Sequence, residues 1–289
     1  MKHFTRKYVF YFLSPFIILF LTFNIFPIIY TIFVSFNKVH FHGQGITLSF
    51  IGLSNYFRVL KDPIFWIGLK NVLLILGIQV PIMTGLALIL ALLLNSPLII
   101  GKKIFRSIIY FPLTVSLVLA AIFWGYMYGK DFGLINLLLS SLGLPKIGWL
   151  VDPSIALYSI MNVITWRWTG WNMLLFLAGL QSIPVELYEA AKIDGAGRLQ
   201  TTFHVVLPLL KPVIIFSLVL SINGSLQTFA EPWVLTQGGP AYSTYTVVLN
   251  IYRYMFAIGD LGLAAAMSLV LGLITIALAV LFIKVVSRE

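Results

Sequence analysis

Polar side chains recur at helical spacing within one of the apolar stretches of this sequence. Ser221, Ser225 and Thr228 stand at positions i, i+4 and i+7, which places them on one face of a helix. Asn223 and Gln227, four residues apart, lie on a neighbouring face. Hydroxyl and amide groups in this arrangement can exchange hydrogen bonds with a polar ligand. They are therefore candidates for the wall of a ligand pathway.

A second apolar stretch contains the run TWRWTGWNM, which combines aromatic rings with a cation. Arg167 is surrounded there by Trp166, Trp168 and Trp171. Indole rings can stack on the ring faces of a sugar while polar groups meet its hydroxyls. An arginine exposed to lipid at mid-depth would cost on the order of 2.5–3.5 kcal/mol. We therefore expect Arg167 to face protein or water, or to extend towards the membrane surface.

Structural roles remain open for both groups of residues. Serine and threonine hydroxyls commonly bond back to the carbonyl four residues earlier, or join neighbouring helices. Tryptophans near the end of a membrane span commonly form an interfacial belt. The residue types by themselves do not decide between these roles and a ligand pathway.

The sequence lacks the patterns of the common catalytic and metal chemistries. No stretch has the glycine-rich turn ending in Gly-Lys-Ser/Thr that binds nucleotide phosphates. The chain has no cysteine, which excludes disulfides, thiolate metal sites and cysteine nucleophiles. The four histidines are scattered, at His3, His40, His42 and His204. We expect no catalytic residues, no metal site and no cofactor held by this chain.

Composition and charge place the chain in a lipid bilayer. Its 289 residues are 60% hydrophobic and 10% charged, whereas about a quarter of the residues in soluble domains are charged. The formal net charge of +10 does not indicate nucleic-acid binding. The Lys and Arg residues are spread over short segments between the apolar stretches, as membrane topology requires.

Six apolar stretches are long enough to cross a bilayer, which takes about 20 residues. They are residues 8–36, 68–95, 107–128, 154–180, 203–229 and 262–285. Only helices or closed barrels satisfy their backbone in lipid, and these runs lack the alternation of barrel strands. We predict an all-α polytopic membrane protein forming a single domain, 1–289. The first stretch is too long for the core of a signal peptide and has no small-residue cleavage site, so we interpret it as a retained span.

The distribution of cations predicts that both termini are cytoplasmic. In that orientation, eleven cations lie in inner segments: Lys2, Arg6, Lys7, Lys102, Lys103, Arg106, Lys192, Arg198, Lys211, Lys284 and Arg288. Seven lie in outer segments: Lys38, Arg58, Lys61, Lys70, Lys130, Lys146 and Arg253. Cytoplasmic loops carry the excess, and the inner connections are the shorter ones, where this rule applies best. The outer connections, 37–67, 129–153 and 230–261, contain the turn signals HGQG, KDFG and TQGGP.

A polar segment, residues 184–202, separates the fourth and fifth apolar stretches. Pro184 suits the first turn of a helix, and Gly195 can take the left-handed conformation that ends one. A second short helix is predicted from Arg198 to Phe203, before the prolines of the fifth stretch. The small residues of the segment would let another surface approach its backbone closely: Ala190, Ala191, Gly195, Ala196 and Gly197. An interfacial helix resting on lipid headgroups would explain the residue types equally well.

The spacing within this segment resembles the permease signature of ATP-binding-cassette importers. Glu189-Ala190-Ala191, three residues, Gly195, nine residues, Val205, one residue and Leu207-Pro208 follow that signature, with Val205 where the family usually has Ile. The carbohydrate-uptake branch, of maltose, lactose and arabinose type, is resembled by LYEAAKIDGAGRLQTTFHVVLPLL, GLSNYFRVLKDPIFW, LAGLQSIP, LTQGGP and GLAAAMSLVL. The resemblance covers nearly the whole chain. It is to the six-span core, without the additional spans of the long maltose-type relatives.

The resemblance implies a type I importer permease that works with several partners. Its coupling residues would be Glu189, Ala190, Ala191, Asp194 and Gly195, seated in a cleft of a cytoplasmic ATPase dimer that binds ATP and magnesium. A second homologous permease and an extracellular or periplasmic substrate-binding protein would complete the complex. Its place would be the cytoplasmic membrane of a bacterium or an archaeon.

The resemblance also implies a substrate pathway between helices. Its candidate residues are Trp168, Trp171, Ser221, Ser225 and Thr228, with Asn223 and Gln227 in reserve. The loop EPWVLTQGGPAYSTYT resembles the family's loop that meets the binding protein. Its Gly238-Gly239-Pro240 turn could bring backbone close to a partner or into the pathway, or could simply reverse the chain.

The expected function is the permease of an ATP-driven importer for an oligosaccharide or a related carbohydrate. A permease of the same family for a polyol phosphate, such as glycerol 3-phosphate, is an alternative. A secondary carrier is less favoured because the acidic residues lie in connections or near the ends of spans. A membrane enzyme acting on lipid would need a polar cluster, and only scattered candidates such as Arg167 and His204 exist.

Overall fold

The computed structural model describes residues 2–42 and 45–286, with the side chains of residues 1–7, 10, 41–44, 46 and 286–289 left out. Arg288, the centre of the HGQG turn and the side chains of Lys2, Arg6, Lys7, His3 and His42 therefore lie outside the described part. The helices are α1 Lys2–Phe20, α2 Phe26–Ser35, α3 Ser54–Lys61, α4 Pro63–Leu74, α5 Val80–Asn95, α6 Lys102–Thr114, α7 Leu117–Met127, α8 Leu134–Ser141, α9 Ala156–Gln181, α10 Val185–Ile193, α11 Arg198–Thr201, α12 Leu207–Leu226, α13 Ala230–Thr236, α14 Val247–Tyr252 and α15 Leu261–Val286.

Wider π-helical turns join some of these helices into continuous stretches. They span Leu21–Ile25, Ile75–Gln79, Thr202–Val206 and Arg253–Ile258. The first three directly precede a helix whose second residue is a proline, namely Pro27, Pro81 and Pro208. Proline has no N–H and its ring collides with the carbonyl four residues earlier, so a wider turn before it relieves the clash.

The π-helical turn Thr202–Val206 changes the prediction for the polar segment 184–202. The short helix predicted to end at Phe203 does not end there, because the π-helical turn carries it directly into α12. Residues Arg198–Leu226 form one stretch of 29 residues. Pro208 and Pro212 lie inside this stretch and do not interrupt it.

Among residues 2–42 and 45–286, four helical stretches are long and apolar enough to cross a membrane. They are Tyr11–Ser35, Pro63–Asn95, Arg198–Leu226 and Leu261–Val285. A fifth would be α6 and α7 taken together. The predicted fourth span corresponds to α9, whose 26 residues give it about 39 Å of length but whose sequence is more polar. The structure thus bears out a mostly helical protein with several apolar helices, and the count of six spans stays a prediction.

The predicted span 107–128 consists of two helices, and its crossing of the membrane stays a prediction. The axes of α6 and α7 are bent by 98° at a short break. Pro112 cannot donate a backbone hydrogen bond within α6, and Val115 is extended. Ser116 then begins α7, where its Oγ accepts a hydrogen bond from the backbone N–H of Leu119 at 3.3 Å. This N-cap was present in the sequence and marks the boundary.

The all-helical prediction is also wrong in the first outer connection. Strands β1 Asn37–His42 and β2 Gly45–Phe50 pair in antiparallel register, with Asn37 opposite Phe50 and Phe41 opposite Ile46. Threonine, valine and isoleucine suit strands.

The described chain forms two compact units, residues 1–63 with 250–273, and residues 64–249 with 274–289. In the first unit, buried Asn55 donates Nδ2 hydrogen bonds to the carbonyl oxygens of Ser35 and Asn37 at 2.9 and 3.1 Å. Arg58 forms an ion pair with Asp260 at 2.7 Å. These contacts hold the hairpin, α3 and the start of α15 together. The single-domain organisation stays a prediction.

The second unit is built around α9. Helices α5, α6 and α12 all pack against it. A Cβ added at Gly170 would lie 2.2 Å from the carbonyl oxygen of Ile109, so only glycine allows α6 to come this close. One cluster of this core is apolar and consists of Ala87, Ala91, Leu94, Met173, Phe176, Leu177, Leu180, Val206 and Leu210.

Candidate functional site

A cavity of about 510 Å³ opens between α5, α9 and the end of α12. Every residue predicted for the substrate pathway lines it: Trp168, Trp171, Ser221, Asn223, Ser225, Gln227 and Thr228. The two stretches that carry them are separated by about fifty residues in the sequence, and the packing of α12 on α9 brings them together. Ligand cavities usually measure about 300–1,000 Å³, so this one has room for a small carbohydrate.

Some of the polar residues predicted for the fifth apolar stretch lie beyond the end of α12. The helix ends at Leu226, so Thr228 follows it in the loop towards α13 and still reaches the cavity. Ser221 donates its hydroxyl proton to the carbonyl oxygen of Ser217 at 2.9 Å, the back-bond that a structural role predicts. Its oxygen keeps lone pairs that can accept from a ligand. Gln227 Nε2 donates to Oδ1 of Asn223 at 2.8 Å.

The tryptophans around Arg167 divide between two environments. Trp168 and Trp171 line the cavity, with 41% and 42% of their surfaces exposed. Trp166 instead packs against Trp124, with ring centroids 5.7 Å apart and the rings nearly perpendicular. Two indole faces are therefore available to a ligand in the cavity, and the third holds α9 against α7.

Sequence reasoning missed several polar residues of the cavity wall. Asn172 and Gln79 both line the cavity and are buried. Asn172 donates through Nδ2 to the carbonyl oxygen of Trp168 at 3.1 Å, and Gln79 donates to Oγ1 of Thr165 at 3.3 Å. The signal that could have found them is a single amide side chain inside an otherwise apolar run.

Sequence analysis also missed Glu231 as a residue of the cavity wall. It lies in the first turn of α13, outside the candidate spans, and lines the cavity with 6% of its surface exposed. Burial raises the pKa of its carboxyl group, and the positive charge of Arg167 opposes that rise. Arg167 is buried within α9, so the expectation that it faces protein is confirmed.

The polar segment 184–202, which carries the predicted coupling residues, closes its first helix with a glycine, as predicted. Helix α10 spans Val185–Ile193, and Gly195 has φ of +78°. The backbone N–H of Ala196 donates to the carbonyl oxygen of Ala191 at 2.9 Å, and that of Gly195 donates to Lys192 at 3.1 Å. This pair of bonds is the Schellman motif, which satisfies the last carbonyls of the helix.

A shallow hollow of about 500 Å³ lies on this segment. Four of the five predicted coupling residues line it, namely Ala190, Ala191, Asp194 and Gly195. The fifth, Glu189, is exposed beside them and does not line it. No atom of the described chain lies within 4 Å of a Cβ added at Gly195. Apolar side chains around the hollow are exposed, including Ile193 at 85% and Leu199 at 75%.

The Gly238-Gly239-Pro240 turn packs against its own chain. A Cβ added at Gly238 would lie 2.3 Å from Cδ2 of Tyr245. Thr244 Oγ1 donates to the carbonyl oxygen of Gly239 at 2.8 Å, and Asn71 Nδ2 donates to that of Tyr242 at 3.0 Å. The close backbone approach that the glycines permit is therefore internal to the chain.

In the described part of the chain, no group of three His, Asp or Glu side chains could hold a metal ion. The arrangement of polar groups and indole rings around the cavity suits reversible binding of a hydroxyl-rich solute. The fold defines a polytopic helical membrane protein, and its cavity is lined by polar groups and indole rings.

Residues 83–288 match the family of binding-protein-dependent transport system inner membrane components. The lactose transport system permease protein LacF of Rhizobium radiobacter is 41% identical over 85% of this chain and 82% of its own length. The trehalose/maltose transport system permease protein MalF of Thermococcus litoralis is 35% identical over 99% of this chain and 95% of its own length.

A solved structure gives the same result for the fold. A chain of a bacterial ATP-binding-cassette transporter that imports the acidic polysaccharide alginate superposes with a TM-score of 0.86, at 25% identity, over 99% of this chain and 98% of that one. The chain belongs to the family of binding-protein-dependent transport system inner membrane components. It is a multi-pass membrane component of a transporter, and the resemblance described from its sequence is confirmed.

Proposed function

We propose that this chain is one permease subunit of an ATP-driven, binding-protein-dependent importer of an oligosaccharide or related carbohydrate. Six spans with both termini in the cytoplasm of a bacterium or an archaeon complete the proposal. The observation that carries it is the cavity, because one wall offers indole faces and the other offers hydroxyl and amide groups. Relatives named for lactose and for trehalose and maltose support the substrate class.

The coupling segment supports the proposed energy source. Its hollow lies on an exposed surface, and the apolar side chain of Leu187 in its lining is exposed. Exposed apolar surface of this kind marks a protein interface, and the small residues at its centre let a partner come close. The partner is a cytoplasmic ATPase dimer that binds ATP and magnesium, and Glu189 pairs with a basic group on it. A second, homologous permease stands beside this chain.

The transport cycle follows from these two sites. The loaded binding protein docks at the outer face and delivers the carbohydrate to the cavity. Closure of the ATPase dimer around ATP moves the coupling segments and switches the permeases between inward-facing and outward-facing states. Such a switch is a rigid-body rearrangement driven by a ligand that prefers one state. No bond of the carbohydrate is broken in this chain.

The experiment measures uptake by the whole transporter in proteoliposomes, with variants in the cavity wall. Trp171→Ala removes an indole face, and Ser225→Leu fills the polar wall with an apolar side chain. We expect each to lower carbohydrate uptake about tenfold or more, with the amount of complex unchanged. Trp66→Ala, which removes a tryptophan outside the cavity that is 48% exposed, is the matched control. Wild-type uptake in both cavity variants would show that the pathway lies elsewhere.

A further inference from the structure

One ionisable side chain reaches the cavity wall in the described part of the chain. Glu231 lines the cavity beside Gln227 and Thr228 and is almost completely buried. The remaining lining residues there are apolar, aromatic, hydroxyl or amide in character. The cavity therefore presents a carboxylate to its ligand and no cation.

The compensating positive charge lies behind the wall. Arg167 is on α9, next to the lining residue Trp168, and 7% of its surface is exposed. Its Nε and Nη1 groups are buried without a hydrogen-bond partner among the described residues. Helix α13, which carries Glu231, packs against α9, and the charge of Arg167 acts on the Glu231 carboxyl group. Removing either charge would leave the other buried without an opposite charge nearby, which is costly.

We propose that Glu231 determines specificity in the pathway by accepting hydrogen bonds from the hydroxyl groups of an uncharged carbohydrate, while the nearby charge of Arg167 favours its ionised form. This inference rests on the proposed function, because it requires the cavity to be the substrate path. Burial favours the neutral acid and the charge of Arg167 favours the ionised form, in which the carboxylate only accepts hydrogen bonds and each sugar hydroxyl can donate to it. Hydrogen bonds to a charged group are also stronger than those between neutral groups.

The carboxylate of Glu231 also disfavours the binding of anionic solutes. A phosphate or a uronate in the cavity would meet a like charge, with no cation on the wall to offset it. Specificity of this kind comes from a repulsive group as much as from an attractive one. The alternative substrate, a polyol phosphate, is therefore disfavoured, and neutral oligosaccharides are the substrate class that fits.

The test measures ligand binding to the purified transporter by the fluorescence of its tryptophans, two of which line the cavity. The probes are the neutral sugars lactose, trehalose and maltotriose, and the anions digalacturonate and glycerol 3-phosphate. We expect the wild-type complex to bind at least one neutral sugar more tightly than either anion. Glu231→Gln should weaken binding of that sugar about tenfold and reduce its preference over the anions by a similar factor.

A second variant separates the effect of the Arg167 charge from an effect on folding. Arg167→Met should also weaken binding of the neutral sugar, because the carboxylate loses its compensating charge. The double variant with Glu231→Gln should recover part of the loss, since neither charge is then left alone. A purely structural pair would instead lower the amount and the melting temperature of the complex and leave the preference between probes unchanged. Asp131→Asn, which removes an exposed carboxylate in the outer connection, is the matched control.

The remaining outcomes overturn the inference in distinguishable ways. Tighter binding of the anions by the wild type, or binding of no neutral sugar, contradicts it directly. If Trp171→Ala weakens binding while Glu231→Gln changes neither affinity nor preference, this inference is wrong and the proposed pathway stands. If neither variant has an effect, the proposed pathway itself is wrong.

Discussion

The hydroxyl group of Ser217 donates a hydrogen bond to Oδ1 of Asn172, which joins α12 to α9 beside the cavity. Both side chains are buried, and Nδ2 of the same amide donates to the carbonyl oxygen of Trp168. Both polar atoms of the Asn172 side chain are therefore hydrogen-bonded, and the neighbouring Trp171 lines the cavity. This contact fixes the spacing of the two helices that carry the predicted pathway residues.

Replacing Ser217 with alanine should loosen this junction. The change leaves Oδ1 of Asn172 buried without its donor, which costs about 1–3 kcal/mol of folding free energy. We expect a lower melting temperature of the purified transporter, measured by thermal unfolding. Ser268→Ala is the control, because the Ser268 hydroxyl donates within its own helix, to Ala264 at 2.9 Å. Equal effects of the two changes would show that the contact between the helices adds nothing.

Substitution of Gly195 should uncouple transport from ATP hydrolysis. Gly195→Val adds a branched side chain at φ of +78°, where such residues are strained. Gly195→Asn adds bulk but tolerates this conformation, so it separates size from backbone strain. Because the position is open, we expect both variants to stay in the membrane and to lose about tenfold or more of substrate-stimulated ATP hydrolysis and uptake. Normal rates in both variants would rule out close seating of a partner at Gly195.

Substitution of Gly238 should destabilise the loop after α13. In Gly238→Ala the new Cβ would lie 2.3 Å from Cδ2 of Tyr245 and 2.7 Å from Cδ2 of Leu249, at φ of +83°. Overpacking and a left-handed alanine together cost about 2–4 kcal/mol. Gly272→Ala is the control, because no atom lies within 4 Å of its Cβ. There alanine should stabilise the helix by about 0.5–1 kcal/mol. Thermal unfolding should show a lower melting temperature for Gly238→Ala and a higher one for Gly272→Ala.

Removing the side chain of Asn136 should loosen the outer connection before α9. Its Nδ2 donates to the carbonyl oxygens of Lys130 and Ile147 at 3.0 and 2.8 Å, and its Oδ1 accepts from Trp149 Nε1 at 3.1 Å. Asn136→Ala leaves these partly buried groups without this partner, so we expect faster proteolysis within 130–149. Ser141→Ala, whose hydroxyl is exposed and local, should cleave at the wild-type rate. A resistant Asn136→Ala connection would contradict the proposed role.

Local patterns predicted the coupling segment well. Gly195 indicated the end of a helix, and the structure places it in the left-handed conformation of a Schellman motif. Such a motif depends on neighbouring residues alone. The second helix of the segment was predicted from Arg198 to Phe203, whereas the structure continues it into α12. A π-helical turn before Pro208 accommodates the ring instead.

The break between α6 and α7 shows a different limit. Hydropathy treats residues 107–128 as one apolar run, because it sums transfer free energies and ignores backbone direction. The N-cap at Ser116 and the extended Val115 turn the chain by 98° without making it more polar. Likewise, the hairpin of β1 and β2 is short and follows the first span closely. A hydropathy window therefore does not separate the hairpin from that span.

The sequence by itself determined a helical membrane protein, its polar segment and the family of transport components to which it belongs. It also identified polar residues on α12 and indoles on α9, because helical periodicity is a local property. Only the tertiary structure decided that these residues share one cavity with Asn172 and Glu231, and that Arg167 lies behind its wall. The physical reason is that packing of α12 and α13 against α9 joins residues far apart in the chain, and no local spacing encodes that contact.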